Sequence, residues 1–186
     1  DSYNNYVYVL PLLRQYAARI VFSLLGRNTD DFTEWPSESI DYAHVTWDQL
    51  NEMLASGLVE VQNHSYDLHS YTPERHGCLP NAGESETDYA QLLRTDLQRL
   101  QDELAEHTGC TPDTFAYPYG KYSDRTDQVL RDMGFQATLS CDWGINLRRG
   151  RRRVCEHRRA VRLRKIHTAQ CLSLIHISEP TRLALI

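Results

Sequence analysis

No stretch of this 186-residue sequence approaches the roughly 18 consecutive apolar residues of a membrane-spanning helix. No secretory leader precedes Asp1 either, and a first residue other than Met leads us to expect a missing N-terminal part. The five cysteines, Cys78, Cys110, Cys141, Cys155 and Cys171, are odd in number and nowhere closely paired. That spacing indicates neither a disulfide framework nor a cysteine-based zinc site, and they read as mostly structural thiols. Basic residues are scarce over residues 1–147, with 9 Lys and Arg against 23 Asp and Glu, which argues against a nucleic-acid groove. From residue 148 the balance reverses, to 11 basic against 2 acidic residues, so the overall charge of −5 averages two unlike sequences.

What is present reads as one globular domain, with 41% hydrophobic and 24% charged residues. Val9, Leu10 and Leu13 keep helical spacing within residues 7–16, with Pro11 in the first turn. The β-branched run from Arg19 to Gly26 reads as a buried strand. Thr46 and Gln49 form a capping box that opens a helix through Leu50, Met53 and Leu54, ended by Gly57. A strand over residues 58–61 follows, then an aperiodic polar loop over 70–85. Leu92, Leu93, Leu97, Leu100 and Leu104 mark one face of a long helix over about residues 86–107. Strands at 114–117 and 136–140 flank a helix over 124–133 closed by Gly134. Strands alternating with helices predict an α/β fold around a parallel sheet or barrel. In such folds ligands gather beyond the carboxyl ends of the strands.

Two histidines fall at such an end. His64 and His69 are five residues apart, about 500° around an α-helix, so no helical face could hold both. A turn through Ser65 and Asp67 could bring them together. Joined by a carboxylate from elsewhere they would make a three-ligand metal site of the hydrolytic kind; otherwise they are two unrelated loop histidines. The segment Tyr117-Pro118-Tyr119-Gly120 is either a tight turn or a wall for a sugar ring with a backbone N–H aimed at an oxyanion. Trp143 is either a core residue or part of a groove wall. His44, His76 and His107 read as surface or structural histidines. The basic run over 148–165 could be an arm for an anionic partner.

In this order the features over residues 1–147 resemble the polysaccharide deacetylase family, the carbohydrate esterases with a NodB homology domain. His64-Ser65-Tyr66-Asp67-Leu68-His69 resembles the family's histidine motif in the longer form of its branch acting on poly-N-acetylglucosamine. Asp1-Ser2-Tyr3 looks like the end of its opening Asp-Asp motif, and Asp142-Trp143 sits where its groove-lining motif is expected. Phe115 stands where the family usually has an arginine, and no Leu-x-His motif for the general acid can be placed. The resemblance implies a truncated, distorted (β/α) barrel and hydrolysis of N-acetyl groups on an N-acetylglucosamine polymer or peptidoglycan, outside a bacterial cell or at its surface. It implies Zn²⁺ or another divalent metal on Asp1, His64 and His69, and an oxyanion held by the Tyr119 N–H. Tyr117, Pro118 and Trp143 would line the substrate groove. The base would be an Asp just before Asp1, so the chain as it stands is expected to be nearly inactive. A carbohydrate-binding pseudoenzyme on the same scaffold, and another barrel metal-dependent amidohydrolase, are the alternatives.

Leu172-Ser173-Leu174-Ile175-His176-Ile177-Ser178-Glu179-Pro180-Thr181-Arg182 resembles the translation of a transposase sequencing adapter, and the basic run before it reads as a frameshift product. Residues 148–186 are therefore expected to be no domain, and their charge to carry no information about nucleic acid.

Overall fold

The computed structural model describes residues 2–73 and 75–143, the last without its side chain, and the backbone of residues 161–165. A π-helical turn over Asn5–Val9 leads into helix α1, Leu10–Tyr16. Pro11 lies in its first turn, where a missing N–H breaks no helical hydrogen bond. Then follow strand β1 (Ile20–Leu24), helices α2 (Gly26–Glu34) and α3 (Trp47–Ala55), strand β2 (Val59–Asn63), helix α4 (Glu86–Thr108), strand β3 (Thr114–Ala116), helix α5 (Asp124–Asp132), and strands β4 (Ala137–Trp143) and β5 (Val161–Lys165).

The helix ends follow their capping residues. Thr46 accepts from the Gln49 N–H while Gln49 returns the bond to the Thr46 N–H, completing the expected box. A second box, between Ser123 and Thr126, opens α5. Helix α2 was not foreseen. It starts at a glycine with no side-chain cap and runs through the polar Arg27-Asn28-Thr29-Asp30-Asp31, which carries little apolar periodicity.

The five strands lie in the order β1-β2-β3-β4-β5. The first four are parallel, as the alternation of elements predicts, and β5 joins β4 antiparallel. Of the tail beyond residue 147, only residues 161–165 are described; the remainder, including the adapter-like segment, lies outside the described residues. Helix α4 spans the sheet and unites two apolar clusters. Its Leu100 and Leu104 pack with Phe22, Leu24, Leu50, Met53 and Val61, whereas Leu93 and Leu97 pack with Phe115, Tyr117, Val129 and Leu130. Burying each such leucine contributes about 1.5–3 kcal/mol. Leu92 is only partly buried, and Tyr89 takes the expected place on the inward face. No helix among the described residues is long and apolar enough to cross a membrane.

The register sets up the site. Leu24 pairs with Asn63 across β1 and β2, and Asn63 pairs with Phe115 across β2 and β3. The residues just beyond these pairs, Leu25, His64 and Ala116, thus emerge together at the carboxyl ends of three neighbouring parallel strands.

Candidate active site at the carboxyl ends of the strands

The chain leaves β2 through a tight reversal. Ser65 is fully buried and adopts φ 90°, a conformation that side-chain-bearing residues rarely take. Several hydrogen bonds hold it there. Its N–H donates to Asn63 Oδ1 at 2.8 Å, its Oγ accepts from the Leu68 N–H at 3.2 Å, and its carbonyl accepts from the Gly26 N–H at 3.2 Å. Asn63 is itself buried and tied to the Leu97 carbonyl on α4. The next two N–H groups, of Tyr66 and Asp67, both donate to the carboxylate of Asp96 on α4, each at 2.8 Å. The Asp67 side chain pairs with Arg27 at 2.6 Å.

This turn brings His64 and His69 together, with ring centroids 5.0 Å apart and planes at 54°. His64 Nδ1 lies 2.7 Å from the Ala116 carbonyl. A carbonyl only accepts, so Nδ1 carries the proton and Nε2 keeps its lone pair. Burial pushes the His64 pKa down to about 4, against the opposing pull of that carbonyl, and burial also lowers that of His69. Both imidazoles are therefore neutral near pH 7, the form that binds a metal.

The expected turn after β3 is a 3-10 turn over Pro118–Gly120 with Tyr119 at φ 58°, ψ 12°. It is closed by the Gly120 and Lys121 N–H groups, bonded to the Tyr117 and Pro118 carbonyls, so the Tyr119 N–H is not spent on closing it. The Tyr119 ring packs on His69 at 4.3 Å between centroids. Tyr117 and Pro118 correct the expectation of a sugar-facing wall, since both are buried. Residues two apart on a strand share a face, so Tyr117 follows Phe115 into the core, and its hydroxyl bonds to the Asp127 carboxylate. Trp143 ends β4, and its side chain lies outside the described residues, as does Asp1.

A cavity of about 710 Å³ borders the histidine pair and runs along the exposed flank of β1. It includes two residues that spacing could not reveal, His44 and Asn28, whose side chains bond at 3.0 Å between Asn28 Nδ2 and His44 Nε2. His44 comes from the loop before α3 and is bridged to Ser2. Expected to be merely structural, it is the third imidazole of this cavity. Among the described residues no group of three or more His, Cys, Asp or Glu side chains is placed to hold a metal. The fit therefore rests on the two neutral rings, of which His64 is fixed in the ligating tautomer by a backbone carbonyl.

A family model described as polysaccharide deacetylase matches residues 1–138. The chain belongs to the polysaccharide deacetylase family. Among solved structures it is similar to the BpsB deacetylase domain from Bordetella bronchiseptica, with 28% identity, a TM-score of 0.64, and coverage of 77% of this chain and 62% of that one. It is also similar to IcaB from Ammonifex degensii, with 28% identity, a TM-score of 0.60, and coverage of 73% and 54%. A curated relative, the poly-beta-1,6-N-acetyl-D-glucosamine N-deacetylase of Escherichia coli strain K12, is 22% identical over an alignment of 170 positions that covers 78% of this chain and 24% of that protein. Its namesake in Staphylococcus aureus strain N315 is 29% identical over 94 residues, or 50% and 30%. The chain thus spans about a quarter to a third of these curated relatives. The parallel α/β sheet of this deacetylase-family chain is that of the solved deacetylases.

Proposed function

We propose that this family member carries part of a metal-dependent site that removes N-acetyl groups from an N-acetylglucosamine polymer, a poly-N-acetylglucosamine or peptidoglycan, outside the bacterial cytoplasm. The observation that carries this reading is the His64–His69 pair: two neutral rings, delivered by a strained and heavily bonded turn to one cavity at the strand ends. His64 Nε2 and His69 would hold Zn²⁺ or another divalent ion together with Asp1. Such an ion, when bound, polarises the amide carbonyl and acidifies a water. The protein's own groups do the positioning. The Ala116 carbonyl holds the proton on His64 Nδ1, Asp96 fixes the backbone between the two ligands, and the Tyr119 N–H is the donor for a developing oxyanion.

A non-catalytic carbohydrate-binding role on the same scaffold is the second reading, favoured by Phe115, which stands where the family usually has an arginine. Zinc content and acetate release decide between them. The chain extended at its N-terminus by an Asp before Asp1 should bind one zinc ion and release acetate from poly-N-acetylglucosamine or peptidoglycan fragments. Absence of stoichiometric metal at neutral pH would sink the deacetylase reading.

A further inference from the structure

The long loop after His69 carries a feature that the hydrolytic site does not use. Tyr71 and His76 face each other across an antiparallel bridge, with ring centroids 3.9 Å apart in an edge arrangement. Tyr119 completes a trio, 5.8 Å from Tyr71 and 5.6 Å from His76. The trio continues the site, because the same Tyr119 ring lies 4.3 Å from His69. Tyr71 is 69% exposed and Tyr119 39%, so these rings lend little to the core.

The loop is nonetheless held in place. The Thr72 N–H donates to the Arg75 carbonyl and the Gly77 N–H to the Ser70 carbonyl, each at 2.8 Å. Arg75 forms a 2.6 Å ion pair with Glu84 in which the two side chains are only 14% and 13% exposed, and it also bonds the Leu79 carbonyl. Gly77, at φ +58°, sits where a Cβ would come within 3.1 Å of the Pro118 carbonyl oxygen. The loop is thus seated directly on the turn that carries Tyr119. Tyr71 and His76 also border a cavity of about 470 Å³, within the size range of small-ligand sites.

We propose that Tyr71, His76 and Tyr119 form a subsite for a pyranose ring of the substrate polymer, next to the sugar whose N-acetyl group lies at His64 and His69. The identity of the sugar rests on the deacetylase reading above; the existence of the platform does not. A pyranose presents apolar C–H faces with hydroxyls around its edge. Exposed rings with polar tips match that pattern, while a protein partner would require a larger continuous apolar patch. The trio makes the site prefer a chain over a single sugar.

The test is calorimetric titration of the full chain, Tyr71→Ala and Tyr71→Phe with β-1,6-linked N-acetylglucosamine from monosaccharide to hexamer, with acetate release followed in the same three proteins extended by an Asp before Asp1. The wild-type chain should bind the hexamer more tightly than the monosaccharide. Tyr71→Ala should weaken hexamer binding roughly three- to tenfold, the worth of one aromatic stacking contact, and narrow the gap to the monosaccharide. Tyr71→Phe should retain hexamer binding, and all three proteins should melt together. A hexamer bound no better than the monosaccharide, or bound equally by Tyr71→Ala, overturns the subsite. Length-dependent binding without acetate release from the chain extended by an Asp before Asp1 would leave the subsite standing and remove the deacetylase reading.

Discussion

Replacing Asp96 with alanine tests whether the histidine pair is held by helix α4. The carboxylate accepts the Tyr66 and Asp67 N–H groups at 2.8 Å each, midway along the segment that separates His64 from His69. Hydrogen bonds to a charged group are worth about 1.5–3 kcal/mol apiece. Burial opposes this gain, since it pushes the Asp96 pKa up to about 6 against the pull of the two N–H groups, so the loss should fall below the sum of two such bonds. A destabilisation of about 2–4 kcal/mol by urea unfolding is expected, with faster hydrogen exchange at the amides of Tyr66 and Asp67. Zinc affinity in the protein extended by an Asp before Asp1 should drop about 10–100-fold, the usual effect of removing a group that orients a ligand. The pH dependence has a definite sign. The Asp96 pKa is higher in the folded chain than the ordinary 3.8, so between about pH 4 and about pH 6 the folded chain keeps a proton that the unfolded chain has lost. This contribution to stability is complete below that window and is lost as pH rises through it. Relative to Asp96→Asn, which cannot titrate, the wild type should therefore lose stability from pH 4 to 6 and hold level above. An Asp96→Ala variant within about 0.5 kcal/mol of wild type, with unchanged exchange at both amides, would refute the bracing role.

Three further substitutions test neighbouring parts of the argument. Gly26→Ala would place a Cβ 2.5 Å from Tyr66 Cδ2 and 3.0 Å from Leu100 Cδ1, and should cost about 1–3 kcal/mol by thermal denaturation; a neutral result would mean that the Tyr66 ring shifts freely. Tyr117→Phe removes the hydroxyl bonded to the buried Asp127 and should cost about 1–3 kcal/mol without changing KM for polymer, whereas a groove wall would show the reverse. His69→Ala alters a surface residue whose ring is only partly shielded by His64 and Tyr119, and should leave stability within about 0.5 kcal/mol while abolishing zinc binding, read by metal analysis of the protein extended by an Asp before Asp1.

Local signals made much of the fold legible. Apolar periodicity placed the long helix, and its end at Thr108 before Gly109 at φ 71° follows from the glycine alone. The Thr46–Gln49 box gave the start of α3, because capping is settled within four residues of chain. The histidine pair was half legible. Their spacing excluded a shared helical face, and the structure realises the alternative, a turn at Ser65 that brings the rings to 5.0 Å. Helix α2 lacked both a side-chain cap and an apolar stripe, so nothing local announced it.

The sequence by itself determined the order of the first four strands and of the helices other than α2, the parallel sheet they imply, and the candidate ligands His64 and His69, since each depends on residues close together in the chain. Only the tertiary structure decided what surrounds them. Asp96, 27 positions beyond His69, reaches the turn because α4 packs across β2, and His44 joins the cavity because its loop is drawn beside the β1 edge. Tyr117 and Tyr119, two positions apart, part company because one still follows the strand's inward face while the other has entered a left-handed turn. Contacts of this kind are set by the packing of distant elements, on which local pattern is silent.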